Sequence, residues 1–275
     1  MAEAKGVNVS GIVSSLWRHP VKGFTPENVP EALLSPGDFF PFDRLFALEV
    51  GRSGFDPGDP KTIPKMRFAV LARFPAVARL RTRYDEYDDA LELIDEDGKV
   101  WRFGMSDPAG RHALARHVET VLARHEDYDP VALPLRLLTA PDFDHARRHF
   151  RFTDSGKGFV SLLNLNSLRD LGQRLGREID PLRLRGNIWV EGWAAFEDHA
   201  FVGKSIRVGE AGPEFEVLKP IERCAATHVN PDTAERDIDL CGALFDNYGH
   251  RHCGVYARVA KGGVIRPGDR LHVLG

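Results

Sequence analysis

Short apolar runs separated by turn residues dominate this chain. Residues 9–19 (VSGIVSSLWRH) read as an opening strand that Pro20 ends, and Val29 to Leu34 is a second apolar run before the turn signal Ser35-Pro36-Gly37-Asp38. Arg44 to Val50 (RLFALEV) is apolar enough for a buried strand, and residues 51–64, with three Gly and three Pro, form a loop. From Ala76 to Tyr84 the pattern has period two: Arg79, Arg81 and Arg83 point one way, and Ala78, Leu80, Thr82 and Tyr84 the other. That predicts a half-buried strand. Leu91 to Ile94 and Val100 to Phe103 flank Asp97-Gly98, a hairpin signal, and the acids from Asp85 to Asp97 fit its solvated rim. Ser106-Asp107-Pro108 opens a helix in which Leu114, Val118, Val121 and Leu122 recur at helical spacing to about Arg124.

A loop with two Pro follows from Asp127 to Pro134, and a domain boundary is expected there. Beyond it, strands are expected at Leu135 to Thr139, Phe159 to Leu163, Leu182 to Val190, Ser205 to Val208, Phe215 to Leu218, Val255 to Ala260 and Leu271 to Leu274. The segment from His145 to Lys157 is basic. Asn166 is the expected cap of a short helix closed by Gly176, and a further helix is expected from Ile238 to Asp246. Many short strands with few helices predict a mainly β fold of barrels or sandwiches.

A length of 275 residues suits two domains or one large one. Hydrophobic residues at 43% and charged residues at 28% exclude a disordered chain. The net charge of −3 gives no global attraction to nucleic acid or to an anionic membrane. No basic-then-apolar leader opens the sequence, and no apolar run reaches the ~20 residues that span a bilayer. The three cysteines, Cys224, Cys241 and Cys253, are odd in number and argue against a disulfide framework. A cytoplasmic protein with no nucleic-acid or membrane partner is expected.

Three groupings carry possible chemistry. In Glu222-Arg223-Cys224-Ala225-Ala226-Thr227-His228 a thiol follows a cation, which favours thiolate, the form that attacks electrophiles and binds soft metals. A buried cysteine acting as a small hydrophobe is the competing reading. Lys22, Arg44, Arg185 and Asn187 lie near expected strand ends, and together would suit an anionic, heteroatom-rich ligand. Ordinary surface charge is the alternative there. Cys224 with His228, and His250, His252 and Cys253, supply zinc-ligand types in a spacing that matches no standard finger. No GxGxxG, Walker A, HExxH or GxSxG motif occurs, and no four-cysteine set for an iron–sulfur cluster.

In order, His19-Pro20-Val21-Lys22, Phe42-Asp43-Arg44, Leu184-Arg185-Gly186-Asn187-Ile188, Glu197-Asp198, Glu222-Arg223-Cys224, Pro231-Asp232-Thr233 and Pro267-Gly268-Asp269 resemble the MOSC family, named for the C-terminal domain of molybdenum cofactor sulfurases. The mitochondrial amidoxime-reducing component is among its better-understood members. The resemblance implies two β-barrel-like domains, an N-terminal one at 8–127 and a MOSC domain at 128–275. It implies a molybdenum cofactor (Mo-molybdopterin) between them, with Cys224 as the metal's protein ligand. Lys22, Arg44, Ser155, Arg185, Asn187 and Arg223 would contact the cofactor or supply field at the thiolate, and Asp198 or His228 would supply protons. Gly23 and Gly186 stand where the family often has Ser and Pro, and Thr227-His228 where it has a Thr pair.

The activity so implied is two-electron reduction of N-hydroxylated or related small molecules, with electrons from a separate flavin or iron–sulfur protein. Two alternatives stand beside it. One is a sulfur carrier holding a persulfide on Cys224, supplied by a cysteine desulfurase. The other is a non-catalytic cofactor-binding or zinc-stabilised module.

Overall fold

The computed structural model describes residues 10–140, 150–154 and 157–274. Its strands are β1 Ser10–Arg18, β2 Glu27–Val29, β3 Ala32–Leu34, β4 Phe46–Val50, β5 Arg81–Asp85, β6 Ala90–Ile94, β7 Val100–Gly104, β8 Leu135–Thr139, β9 Val160–Asn164, β10 Ile188–Glu191, β11 Ser205–Val208, β12 Glu214–Glu222, β13 His252–Lys261, β14 Gly263–Ile265 and β15 Arg270–Leu274. The helices are α1 Pro108–His125, α2 Leu165–Leu175 and α3 Leu240–Tyr248. The mainly β expectation holds.

Seven strands close a barrel in the order β10-β9-β13-β12-β11-β15-β1, with β1 returning to β10. The β10–β9 pair is parallel and the other ladders are antiparallel. β1 reaches both neighbours because its register shifts between Val13 and Ser15, a bulge that bends the strand across the seam. Val13, Leu16, Ile188, Val190, Phe215 and Val255 fill the interior with Trp193, whose ring meets Phe201 edge-on at 5.2 Å. Gly11 allows this closure, since a Cβ there would stand 2.7 Å from the Trp193 ring.

A second body packs beside the barrel. β4 pairs with β8, β5-β6-β7 form a meander, and α1 lays Leu114, Val118, Val121 and Leu122 against them. Asp107 caps α1 by accepting from the Ala109 and Gly110 N–H groups, with Pro108 in the first turn, as the sequence predicts. β3 crosses to pair with β14, so the ladders interleave early and late segments of the chain.

Three local expectations are corrected. Ala76 to Tyr84 is not one strand: Pro75–Arg79 forms a 3-10 turn that buries Ala76, Val77 and Ala78, and β5 starts only at Arg81. Proline at a turn start has its φ set and no N–H to donate to a ladder, which overrides the alternation. Leu182 to Val190 likewise begins as a 3-10 turn, Pro181–Leu184, capped by Asp180, and Arg185 in a left-handed conformation (φ 55°) separates it from β10. The α2 cap is Asn164 rather than Asn166, its side chain accepting from the Asn166 N–H. Among the described residues no helix is long and apolar enough to cross a membrane.

Candidate functional site

Between the two bodies lies a cleft of about 1010 Å³, counting its open mouth. Its lining includes Lys22, Arg44, Arg185, Asn187, Arg223 and Cys224, six residues singled out from sequence and drawn from distant segments.

Two segments build one wall. Residues following β1 are zipped to those entering β4: the Arg44 N–H donates to the His19 carbonyl at 2.7 Å, Phe46 to Pro20 at 3.0 Å and Lys22 to Phe46 at 2.8 Å. Phe42 and Arg44 both take left-handed backbones, φ 56° and 52°. Such conformations persist in non-glycine residues only when their surroundings hold them. Asp43 does the holding. It is buried, accepts the His19 N–H at 2.7 Å and pairs with the Arg44 guanidinium. Burial alone would raise the Asp43 carboxyl, but Arg44 and His19 outweigh it and hold the group well below the usual carboxylate range. Burial pushes the His19 imidazole well below its ordinary value, aided by Arg44 and Arg185.

The opposite wall comes from the barrel. Arg185 donates to the Phe24 carbonyl at 2.7 Å, and Arg44 donates to the Arg185 carbonyl at 3.1 Å, so each body grips the other through its own arginine. Burial brings Arg185 down to about 9. Lys22 donates to the Phe152 carbonyl at 2.9 Å and to Asp154, and burial lowers its pKa despite that carboxylate. The Asn187 side chain accepts from the Ser161 hydroxyl at 2.8 Å and donates to Trp17 across the seam at 3.2 Å. Arg223, buried, donates to the Leu184 carbonyl at 2.7 Å and to the Cys253 carbonyl at 2.9 Å.

Cys224 follows β12 and precedes the 3-10 turn Ala225–His228, which closes on the Cys224 carbonyl through the Thr227 N–H at 2.9 Å and hydroxyl at 2.8 Å. It is half-exposed, whereas Cys241 and Cys253 are buried. Burial pushes the Cys253 thiol up to about 12. Of the three thiols, only Cys224 lines the cleft.

Asp198 and His228 do not line it. Asp198 is fully buried, with Oδ1 accepting from Asn164 at 3.2 Å and Oδ2 without a partner, and burial raises it to about 6. The His228 ring stands 3.1 Å from Asp239, and its carbonyl accepts from Arg183 at 3.0 Å. Ser155 lies outside the described residues. His250 and His252 pack against His199, with ring centroids at 5.3 and 6.3 Å, and among the described residues no group of three His, Cys, Asp or Glu is arranged to hold a metal ion.

The two unexpected glycines have steric causes. Gly23 has φ 93° and a Cβ there would meet the Ala69 carbonyl at 2.7 Å; at Gly186 it would meet the Leu163 side chain at 2.3 Å. Sequence reading missed Lys65, Thr153, Asp154 and Tyr256, all in the lining. Lys65 directly follows the Gly/Pro-rich stretch 51–64, where no periodicity directs attention. Burial would lower its ammonium, but the hydrogen-bonded Cys224 sulfur outweighs that and raises it.

A family model described as the MOSC N-terminal beta barrel domain matches residues 10–132, and one described as the MOSC domain matches residues 149–272. No curated protein matches the chain. Among solved structures, the YUAD protein of Bacillus subtilis is similar at 12% identity over 96% of this chain and 95% of that one, with a TM-score of 0.43. YiiM from Geobacillus stearothermophilus is 22% identical over 42% of this chain and 54% of its own, with a TM-score of 0.34. YiiM from Escherichia coli is 18% identical over the same shares, with a TM-score of 0.29.

Proposed function

The chain carries a MOSC N-terminal barrel domain and a MOSC domain and so belongs to the MOSC family; from that premise we propose that it is an oxidoreductase that holds a molybdenum–pterin cofactor in the cleft. Its substrates would be N-hydroxylated or related small molecules, reduced by two electrons from a separate flavin or iron–sulfur protein in the cytoplasm. The observation that supports this most is the placement of the one cleft-facing thiol, Cys224, among cations contributed by both bodies.

The residues present suit such a group. A dianionic phosphate and a polar pterin need cations and hydrogen-bonding groups, and a soft metal needs a thiolate. The buried Thr153 hydroxyl at the cleft wall has no partner among the described residues, an orphan that a polar ligand would satisfy. When bound, the cofactor supplies two-electron chemistry at molybdenum.

The protein's part is placement and charge. Lys22 and Arg44 would bind the anionic and pterin portions from one wall, Arg185 and Asn187 from the other, and Cys224 would be the metal ligand. Arg223 spends its N–H groups on carbonyls, so its contribution is positive field behind Cys224. Asp198 reaches the cleft only through Arg223, whose charge acts on it, and so would influence protons there indirectly.

The test is metal and pterin analysis of protein from a cofactor-producing host. Stoichiometric molybdenum is expected in the wild type and its loss in Cys224→Ser, with the circular dichroism unchanged. Zinc in its place, or no metal despite ample molybdate, overturns the reading. Cyanolysable sulfur on Cys224 without molybdenum would assign the sulfur-carrier role instead.

A further inference from the structure

Residues 60–84 carry seven lysines and arginines and no acid. Carboxylates from outside that run neutralise three of them: Asp59 pairs with Lys61, Glu96 with Arg79 and Asp232 with Arg81. Lys65, Arg67 and Arg73 differ. Among the described residues none of the three forms an ion pair with a carboxylate, and Arg73 donates instead to the Met66 carbonyl at 2.8 Å. A fourth cation joins them from the barrel's side of the molecule. Arg236, in the segment between the Ala225–His228 turn and α3, donates to the Ala72 carbonyl at 2.9 Å and the Leu71 carbonyl at 3.2 Å, and it too has no ion pair among the described residues. Lys65, Leu71 and Ala72 line the cleft, while Met66, Arg67 and Arg236 are exposed, Met66 to 48%. The chain therefore turns from cleft wall to outer surface at the 3-10 turn Lys65–Arg67, and the four cations frame the rim there. Of the acids in the lining, Asp43 and Asp154 are held by Arg44 and Lys22. Glu222 and Glu235 are the exposed acids nearest in the chain to Cys224 and Arg236, which leaves a cationic excess.

We propose that this rim is the docking surface for the separate electron donor, and that the donor presents an acidic face to it. This rests on the reading of the cleft as a redox site whose electrons arrive from outside the chain. A donor must bring its own redox group close to the cleft, and the rim borders the cleft's mouth. Unpaired cations around an exposed methionine match protein–protein interfaces, in which Met and Arg are enriched. The cations also steer an acidic partner during encounter. The chain as a whole is negative, at −3, so the local excess decides where such a partner lands. Nucleic acid is anionic as well, but single strands are gripped through aromatic stacking, and the one aromatic between Lys65 and Arg73, Phe68, is buried.

The test is calorimetric binding of the full-length protein, made without molybdate, to two acidic probes: a plant-type two-iron, two-sulfur ferredoxin and a flavodoxin. At least one should bind at low ionic strength and release as salt is raised. Arg67→Glu should weaken that binding about five-fold, since it removes one exposed charge attraction and adds one repulsion. Met66→Ala should weaken it about three-fold and to the same degree at low and high salt, because the lost contact is apolar. Lys261→Glu makes the same change in net charge at an exposed barrel residue outside the cleft lining, and should leave binding alone. Three results overturn the proposal: neither probe binds, Arg67→Glu and Lys261→Glu weaken binding equally, or a single-stranded oligonucleotide binds the rim more tightly than both proteins. Protein from a cofactor-producing host separates this proposal from the reading beneath it. Absence of molybdenum there strikes the cofactor reading, whereas molybdenum with no Arg67-dependent binding strikes the docking surface alone.

Discussion

The barrel interior and the cleft beside it bury side chains by opposite means. The barrel core is apolar, filled by residues such as Leu16, Phe215 and Trp193 that are almost wholly removed from water. Its stability comes from area: a fully buried large apolar side chain is worth roughly 1.5–3 kcal/mol. The cleft buries Lys22, Arg185 and Arg223 together with Asp43, and each needs a partner to offset its lost hydration. Lys22, Arg185 and Arg223 donate to backbone carbonyls of distant segments, and Asp43 accepts the His19 N–H and pairs with Arg44, so the cleft's charges serve as cross-links. Arg44 and Arg185 hold left-handed backbones there, and the seven barrel strands contain no such non-glycine residue. Strain and buried charge together mark the region arranged for a ligand, and the adjoining barrel is arranged for rigidity.

The contrast can be broken at its strongest point by emptying the barrel. Trp193→Ala should cost about 3–5 kcal/mol in urea denaturation, while the reactivity of Cys224 in the folded protein stays at its wild-type value. A cost below ~1 kcal/mol would mean a loosely packed centre. Next in size is Asp198, a buried acid with one unpartnered oxygen. Burial raises its pKa in the folded protein to about 6, above the unfolded value, so its contribution to stability is fully present below about pH 4 and is lost as pH rises through 6. Asp198→Asn should therefore raise stability by up to about 3 kcal/mol at pH 8 and by about half that at pH 5; equal effects at both pH values would refute the assignment. The smallest effect belongs to the exposed Arg81–Asp232 pair, 3.4 Å apart. Arg81→Ala should change stability by no more than about 0.5 kcal/mol, and less still in high salt.

Much of the fold was legible because half-buried strands and turn residues leave local patterns. β4, β8, β11, β15 and the Asp97-Gly98 hairpin follow from a few residues each. The errors came where proline led a segment, at Pro75 and Pro181, since one fixed φ outweighs an alternating run. The pairing partners of β1 were not legible: its pattern says which side chains turn inward but not which distant strands lie beside it. The cleft residues Lys22, Arg44, Arg185, Asn187 and Cys224 were visible through ordered motifs, and the structure brings them together. Lys65 and Thr153 were not, because they join the cleft lining only when the segments that follow β4 and β8 fold against the barrel. Asp198 was visible as an acid next to Glu197, but its burial beside Asn164, outside the cleft lining, was not.

The seam at β1 bears on how the molecule is made. This strand leaves the ribosome early, yet its two barrel neighbours, β10 and β15, are among later segments to emerge. Until then β2 pairs only with its Leu16–Arg18 end, and the edge that takes β10 and the Ser10–Ile12 stretch that takes β15 offer unpaired N–H and C=O groups to any passing strand. The second body, whose ladders involve only β4 to β8, can assemble first and keep the nascent chain from tangling while the barrel waits for its last stave.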